Sequence, residues 1–142
     1  MSTLAGLPGG SSGSANGTGD TAHFYGPSGV AVDSNGNVFV ADANNHLIRQ
    51  ITAAGVVTTV AGQTTNSGSL NGVGINAKFN FPSGVAVDAN GNLYVADAFN
   101  HTIRKITPPG VVSTFAGSPG VSGTNNGTGS AARFYDPYGH RD

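Results

Sequence analysis

The chain has no cysteine, no tryptophan and a single methionine. Without cysteine there is no disulfide, no thiol nucleophile and no sulfur ligand for zinc or an iron–sulfur cluster. Charge is scarce as well. Asp, Glu, Lys and Arg make up 9% of the residues, against roughly 25% in an average soluble protein. The formal net charge is −1. Such a surface lacks the Lys and Arg that displace counterions from phosphates, which excludes an electrostatic nucleic-acid binder. No apolar run approaches the ~18 residues of a membrane-spanning helix, so no membrane insertion is expected. Met1 to Gly10 show neither a basic start nor an apolar core, so no secretory signal is expected in this chain. The absence of cysteine leaves the redox compartment and the cell location open.

What is abundant is glycine, 23 of 142 residues, about twice its usual share. High glycine with low charge is one signature of disorder, but disordered chains also have few aromatic and β-branched residues and a large net charge. Here there are seven Phe and four Tyr, and Val and Ile fall in short clusters. Those clusters repeat. Shifted by 55, the sequence lies on itself without gaps, and residues 17–71 match residues 72–126 at 33 of 55 positions. Pro27-Ser28-Gly29-Val30-Ala31-Val32-Asp33 returns as Pro82-Ser83-Gly84-Val85-Ala86-Val87-Asp88. The chain therefore reads as a single repeat region. Residues 1–16 are the stub of a preceding unit, 17–71 and 72–126 are two whole units, and 127–142 are the truncated start of a third. Thr3-Leu4-Ala5-Gly6 copies the end of a unit, seen again as Thr59-Val60-Ala61-Gly62 and Thr114-Phe115-Ala116-Gly117.

Each unit predicts four short antiparallel strands: Gly29–Val32, Val38–Ala41, Leu47–Thr52 and Val56–Ala61 in the first. Asn35-Gly36 between the first two is a strong hairpin signal and predicts a type I′ turn. The third turn is Ala53-Ala54-Gly55, replaced in the second unit by Pro108-Pro109-Gly110, a turn signature of its own. No stretch carries helical periodicity with capping signals at both ends. Four strands every 55 residues make a blade of a β-propeller; a solenoid unit more often carries one strand or two helices. In a meander the turns alternate ends. The Asn35-Gly36 and Gly55 turns share one end; the Asn44-Asn45-His46 turn and the long connector Gln63–Asn80 are expected at the other. Phe24, Phe79 and Phe134 recur in the connector and read as anchors that pin it to the blade.

The unit resembles the NHL repeat in its long bacterial form. The residues that carry the resemblance are Pro27–Asp33, Gly36–Asp42, Asn45–Ile51 and Thr59–Gly62, with equivalents at 82–88, 91–97, 100–106 and 114–117. Ala43 and Ala98 stand where the family often has Thr. The resemblance implies an all-β propeller, usually of six blades, that binds protein or carbohydrate partners, often outside the cytoplasm in bacterial forms. Two blades cannot close a ring and would leave apolar flanks in water, which drives association. The expectation is a homotrimer that completes six blades by head-to-tail contacts, with an eight-bladed tetramer as the nearest variant. The spare strand at Leu4-Ala5-Gly6 could pair onto a neighbouring subunit's blade. The same strand is already present at Val111–Ala116, so one copy would then be displaced.

Three groups of side chains are candidates for chemistry. Asp33, Asn35 and Asn37 offer oxygens at alternate positions, as a calcium loop does, but Val38 and Asn44 stand where the EF-hand needs Gly and Glu. They read as a hairpin turn, and no metal is expected. Asp42, His46 and Arg49 pair a carboxylate with a His, and they recur as Asp97, His101 and Arg104. A catalytic site in a propeller is normally unique, so a set that recurs with the fold reads as a structural network of charge-assisted hydrogen bonds. His23, Lys78 and Arg133 share one equivalent position before the anchoring Phe. They are the candidates for contacting an anionic ligand, against a plain solvated-surface reading. No Ser–His–Asp set, phosphate loop or cofactor motif is present, so no catalytic residue and no cofactor is assigned. The preferred reading is a non-catalytic binding or scaffolding module. The alternative is a fragment of a propeller enzyme, of hydrolase or lyase type, with its site at the central channel.

Overall fold

A computed structural model describes residues 3–6, 12–119, 123 and 126–127. The start of the third unit, with Phe134 and Arg133, lies outside the described residues. Ten strands form two antiparallel sheets, one per unit. The first holds β1 (Gly17–Thr18), β2 (Pro27–Val32), β3 (Val38–Asp42), β4 (Leu47–Ile51) and β5 (Val56–Gly62) in the order β1-β5-β4-β3-β2. The second repeats it with β6 (Gly72–Val73), β7 (Pro82–Val87), β8 (Leu93–Asp97), β9 (Thr102–Thr107) and β10 (Val111–Gly117), in the order β6-β10-β9-β8-β7. These are two blades of a β-propeller, each with β2 or β7 as its inner strand.

The four expected strands of each unit are present, and a fifth is added. β6 pairs with the start of β10, Val111 opposite Val73 and Val112 opposite Gly72; β1 pairs likewise with β5. This corrects the expected course of the connector. It does not stay at the turn end. It leaves Gly62, runs down the outer edge of the second sheet as β6, and makes a single 3-10 turn at Gly74–Asn76. It then returns between the blades to Pro82. An exposed strand edge is a template for wrong pairing, and β6 covers part of it. The return leg is apolar where it passes inside: Ala77 and Phe79 are fully buried.

The hairpin turns also differ from expectation. A type I′ turn needs positive φ at both central residues, yet of Asn35 and Gly36 only Gly36 is left-handed, at φ +85°. Asp33 N–H donates to Asn37 O at 3.0 Å, and Gly36 N–H to Asp33 O at 3.2 Å. That is a three-residue loop, a turn followed by a left-handed residue. The Asp33 carboxylate makes the difference: its Oδ1 accepts the N–H groups of Asn35 and Asn37, both at 2.9 Å, and its Oδ2 accepts Asn37 Nδ2 at 3.1 Å. Asp88 does the same with Asn90 and Asn92. With its oxygens spent on these donors, Asp33 caps a loop.

One core fills the space between the blades. Phe39, Ala41, Ile48 and Ala61 come from the first blade; Phe79, Val85, Leu93, Val95, Ile106 and Val112 come from the second unit. A smaller cluster, Ala22, Val40, Ile51 and Val57, lies on the far face of the first blade, with Ala5 and Phe24 packed on it. Near the inner strands the blades touch through glycine. A Cβ on Gly29 would lie 2.7 Å from Gly84 Cα and 2.8 Å from Ser83 O, and Ser28 Oγ donates to Ser83 O at 3.0 Å. Gly at the third position of Pro-Ser-Gly-Val lets two inner strands approach closely.

Candidate functional site

The two sequence-predicted triplets resolve into an ion pair and a separate histidine. Asp42 ends β3 and Arg49 lies two residues into β4, on the facing strand. Arg49 Nη1 lies 2.8 Å from Asp42 Oδ2, with both side chains fully buried. Arg104 and Asp97 form the same pair at 2.7 Å. Each guanidinium also holds the connector. Arg49 donates to His23 O, Ala15 O and Asn16 Oδ1 at 2.9–3.0 Å. Arg104 donates to Lys78 O, Leu70 O and Asn71 Oδ1 at 2.8–3.0 Å. The rings of Phe24 and Phe79 lie under the two guanidinium groups, at 4.8 and 4.9 Å. The Phe anchors the connector from one side and the Arg from the other.

A member that sequence reasoning missed completes each group. Asn45 Nδ2 donates to Asp42 Oδ2 at 2.8 Å and to Gly13 O at 2.6 Å; Asn100 bridges Asp97 and Gly68 in the same way. The signal was available as the Asp-x-x-Asn spacing that both units share. The second oxygen of each carboxylate accepts a backbone N–H, from Tyr25 to Asp42 and from Asn80 to Asp97, both at 2.8 Å. Burial pushes the Asp97 carboxyl up; the Asn80 N–H, Arg104 and Asn100 pull it down. Both oxygens of each carboxylate accept protein donors.

His46 and His101 stand outside the ion pairs. Both end a single 3-10 turn in a left-handed conformation, at φ +57° and +58°. His46 Nδ1 accepts the Phe81 N–H at 3.0 Å. His46 thus meets the second unit, while Arg49 binds the connector that leads into the first blade. Burial holds the His46 imidazole below its ordinary pKa. His46 and Phe81 meet edge to face at 4.6 Å, and Phe81 meets Phe99 at 4.6 Å. Phe99 is 53% exposed. This aromatic row lies at the end of the blades that carries the β3–β4 and β8–β9 turns. It lies at the junction of the two units: His46 comes from the first, Phe81 and Phe99 from the second, and Gly26 and Asn44 hold the positions equivalent to Phe81 and Phe99 in the first. Phe81 is left-handed, at φ +52°, where Gly26 has +66°. A bulky residue in that region is strained by about 1–3 kcal/mol.

His23 and Lys78 occupy equivalent places on the returning connector, and it is their backbone oxygens that serve the arginines. Both are half-buried, and the Lys78 stem runs against Gly68. Arg133, the third of that set, lies outside the described residues. At the outer edge, a hollow of about 530 Å³ is lined by the neutral amides and hydroxyls of Ser14, Asn16, Thr59, Gln63 and Asn76 and by the apolar Leu47 and Ile75, among others. Among the described residues no group of three or more His, Asp or Glu is gathered as a metal would require.

The NHL repeat profile matches residues 24–51 and 79–106, the core of each blade. The chain belongs to the NHL-repeat family. NHL repeat-containing protein 2 of Bos taurus is 33% identical to it over 130 residues, which is 83% of this chain and 18% of that protein. The chain thus spans less than a fifth of that relative's length. Among solved structures, a protein of unknown function from Bacteroides thetaiotaomicron superposes with a TM-score of 0.67 and 33% identity, covering 72% of this chain and 26% of that one. An auxiliary nutrient binding protein from the same organism gives 0.67 at 26% identity, over 76% of this chain and 30% of the other. The two blades superpose on 26% and 30% of those two chains.

Proposed function

We propose that this pair of NHL blades is a non-catalytic binding or scaffolding sector of a six-bladed propeller, completed as a homotrimer, that takes a neutral protein or carbohydrate ligand at its turn-bearing end. The observation that carries this reading is the row His46–Phe81–Phe99. The two Asp–Arg pairs recur in both blades and are fully buried. The aromatic row forms at the junction of the two units, is partly exposed, and is built on a strained Phe81 where the first unit has glycine. Backbone strain that the surrounding packing maintains is concentrated at ligand-binding places in proteins. Exposed aromatic faces stack on sugar rings and on the side chains of partner proteins. The neutral hollow at the outer edge and the low charge of the chain favour an uncharged ligand, and the auxiliary nutrient binding protein shares the fold.

The test is a titration of the chain with a panel of neutral oligosaccharides and uncharged peptides, followed by calorimetry and by the ring-proton shifts of Phe99. Saturable binding that Phe99→Ala weakens at least tenfold supports the reading. Binding that F99A leaves intact, or none across the panel, overturns it.

A further inference from the structure

Two strands of identical sequence differ in what covers them. In β7 the segment Pro82-Ser83-Gly84-Val85 is buried; in β2 the same four residues, Pro27-Ser28-Gly29-Val30, are open, and Val30 is 62% exposed against 8% for Val85. The difference is a missing neighbour. β7 faces the first blade, whereas β2 faces an open hollow of about 370 Å³ edged by Ala5, Phe24, Pro27, Val30, Val40 and Ile51.

Part of that neighbour's place is taken by Leu4–Gly6. The Leu4 carbonyl oxygen lies 3.2 Å from where a Cβ on Gly55 would be, as the Val60 oxygen does at Gly110. Gly6 lies against the Phe24 ring as Gly62 does against Phe79. Ala5 packs on the outer cluster as Ala61 packs in the main core. Leu4–Gly6 therefore mimics Val60–Gly62, the end of a preceding blade's β5. The matching segment of the second unit is Phe115–Gly117 of β10, and among the described residues its face is also open: Phe115 is 52% exposed and stacks on Tyr94 at 5.2 Å.

We propose that the open face of the first blade docks the second blade of another copy of this chain, with Phe115–Gly117 of that copy replacing Leu4–Gly6. This rests on the reading of the chain as propeller sectors and adds a built-in competitor to it. The interface between the two blades of one chain is the template. There, Phe39, Gln50 and Val60 leave an incompletely filled hollow of about 130 Å³ against Leu93, Ile106 and Pro109. In the joint between copies the equivalents are Tyr94, Lys105 and Phe115. On the opposing side Val38, Ile51 and Ala54 stand where the internal joint has Leu93, Ile106 and Pro109; the larger Phe115 fills the space that Val60 leaves, and Lys105 comes to the loop headed by Asp33, where Gln50 meets the loop headed by Asp88. The joint between copies thus carries a charge complement, Lys105 with Asp33, where the internal joint has the neutral Gln50. Because the two faces differ, the contact is head to tail, and a closed ring follows if the rotation closes. The segment Leu4–Gly6 slows or limits that closure until it is displaced.

Sedimentation velocity on the full chain and its variants tests this without any ligand. Ala5→Glu expels the N-terminal segment from the apolar cluster and is expected to lower the concentration for half-assembly at least tenfold, with a mass of three chains. Adding Phe115→Asp or Val30→Asp, both at exposed positions, to A5E is expected to return the monomer with an unchanged far-UV spectrum. The proposal is overturned if A5E stays monomeric, which would assign the open face to a blade supplied by a longer polypeptide. It is equally overturned if A5E with F115D assembles as well as A5E alone. F99A, which probes the ligand reading, is expected to leave the mass unchanged, so a failure of either idea is visible separately.

Discussion

Gly29 and Gly84, 55 positions apart, meet backbone to backbone where the inner strands of the two blades converge. A Cβ on Gly29 would sit 2.7 Å from Gly84 Cα and 2.8 Å from Ser83 O. Neither neighbour is a flexible side-chain tip that can swing away. Gly29→Ala is therefore expected to push the blades apart and cost about 1–3 kcal/mol, the range for overpacking a filled interior. Thermal unfolding followed by circular dichroism should show a midpoint lower by several degrees. Gly36→Asn is the control, since nothing lies within 4 Å of Gly36 and Asn tolerates its left-handed conformation. An unchanged midpoint for G29A would refute the close approach.

Arg104 is the least replaceable side chain of the second unit. It is fully buried and bonded to Asp97, Lys78 O, Leu70 O and Asn71. Removing one partner of a buried ion pair strands the other charge and costs about 3–5 kcal/mol. Arg104→Ala is expected to lose that much in urea unfolding. Arg104→Lys is expected to recover less than half of it, since one ammonium cannot span acceptors arranged for a planar fork. Limited proteolysis supplies the local readout: cleavage within 63–71 should rise first in R104K. Equal stability of R104K and the parent would show that charge alone suffices.

Acid acts on two kinds of group with the same sign. Burial lowers the His46 pKa below its ordinary 6.5, so the unfolded chain binds more protons in that interval. The His46 contribution is complete above 6.5 and is lost as pH falls through the lower folded value. Hydrogen bonds from Asn37 and Asn92 hold Asp33 and Asp88 below 3.8. Their contribution is present above 3.8 and disappears as pH falls through their lowered values. A plot of stability against pH should thus fall in two limbs. His46→Asn, which keeps the left-handed site, should flatten the upper limb; Asp33→Asn with Asp88→Asn should flatten the lower. A single limb unaffected by H46N would show that the His46–Phe81 contact carries no proton linkage.

The repeat and the strands were legible because they are local. A period of 55, alternating Val and Ala, and Asx-Gly loops dictate strand and turn through side-chain alternation and φ preferences, whatever surrounds them. The loop class was not legible, because it depends on the Asp33 carboxylate taking three donors at once. The path of the connector was equally hidden: Gly72-Val73 has no strand signal of its own, and pairs only because β10 presents an open edge. For the candidate site, the charges were visible as Asp42, Arg49 and their copies. Asn45 and Asn100 carried a signal in the Asp-x-x-Asn spacing, but within turn-like sequence it was missed, and the row His46–Phe81–Phe99 joins residues from three segments that only folding brings together.

Pro-Ser-Gly-Val-Ala-Val shows where the division lies. Written twice in identical letters, it determined by itself that both copies are inner strands with the same register to β3 and β8. Tertiary structure decided that Val85 is buried and Val30 is not. Backbone conformation answers to neighbours in the chain, whereas burial answers to whichever surface arrives from elsewhere, and only β7 has one standing against it.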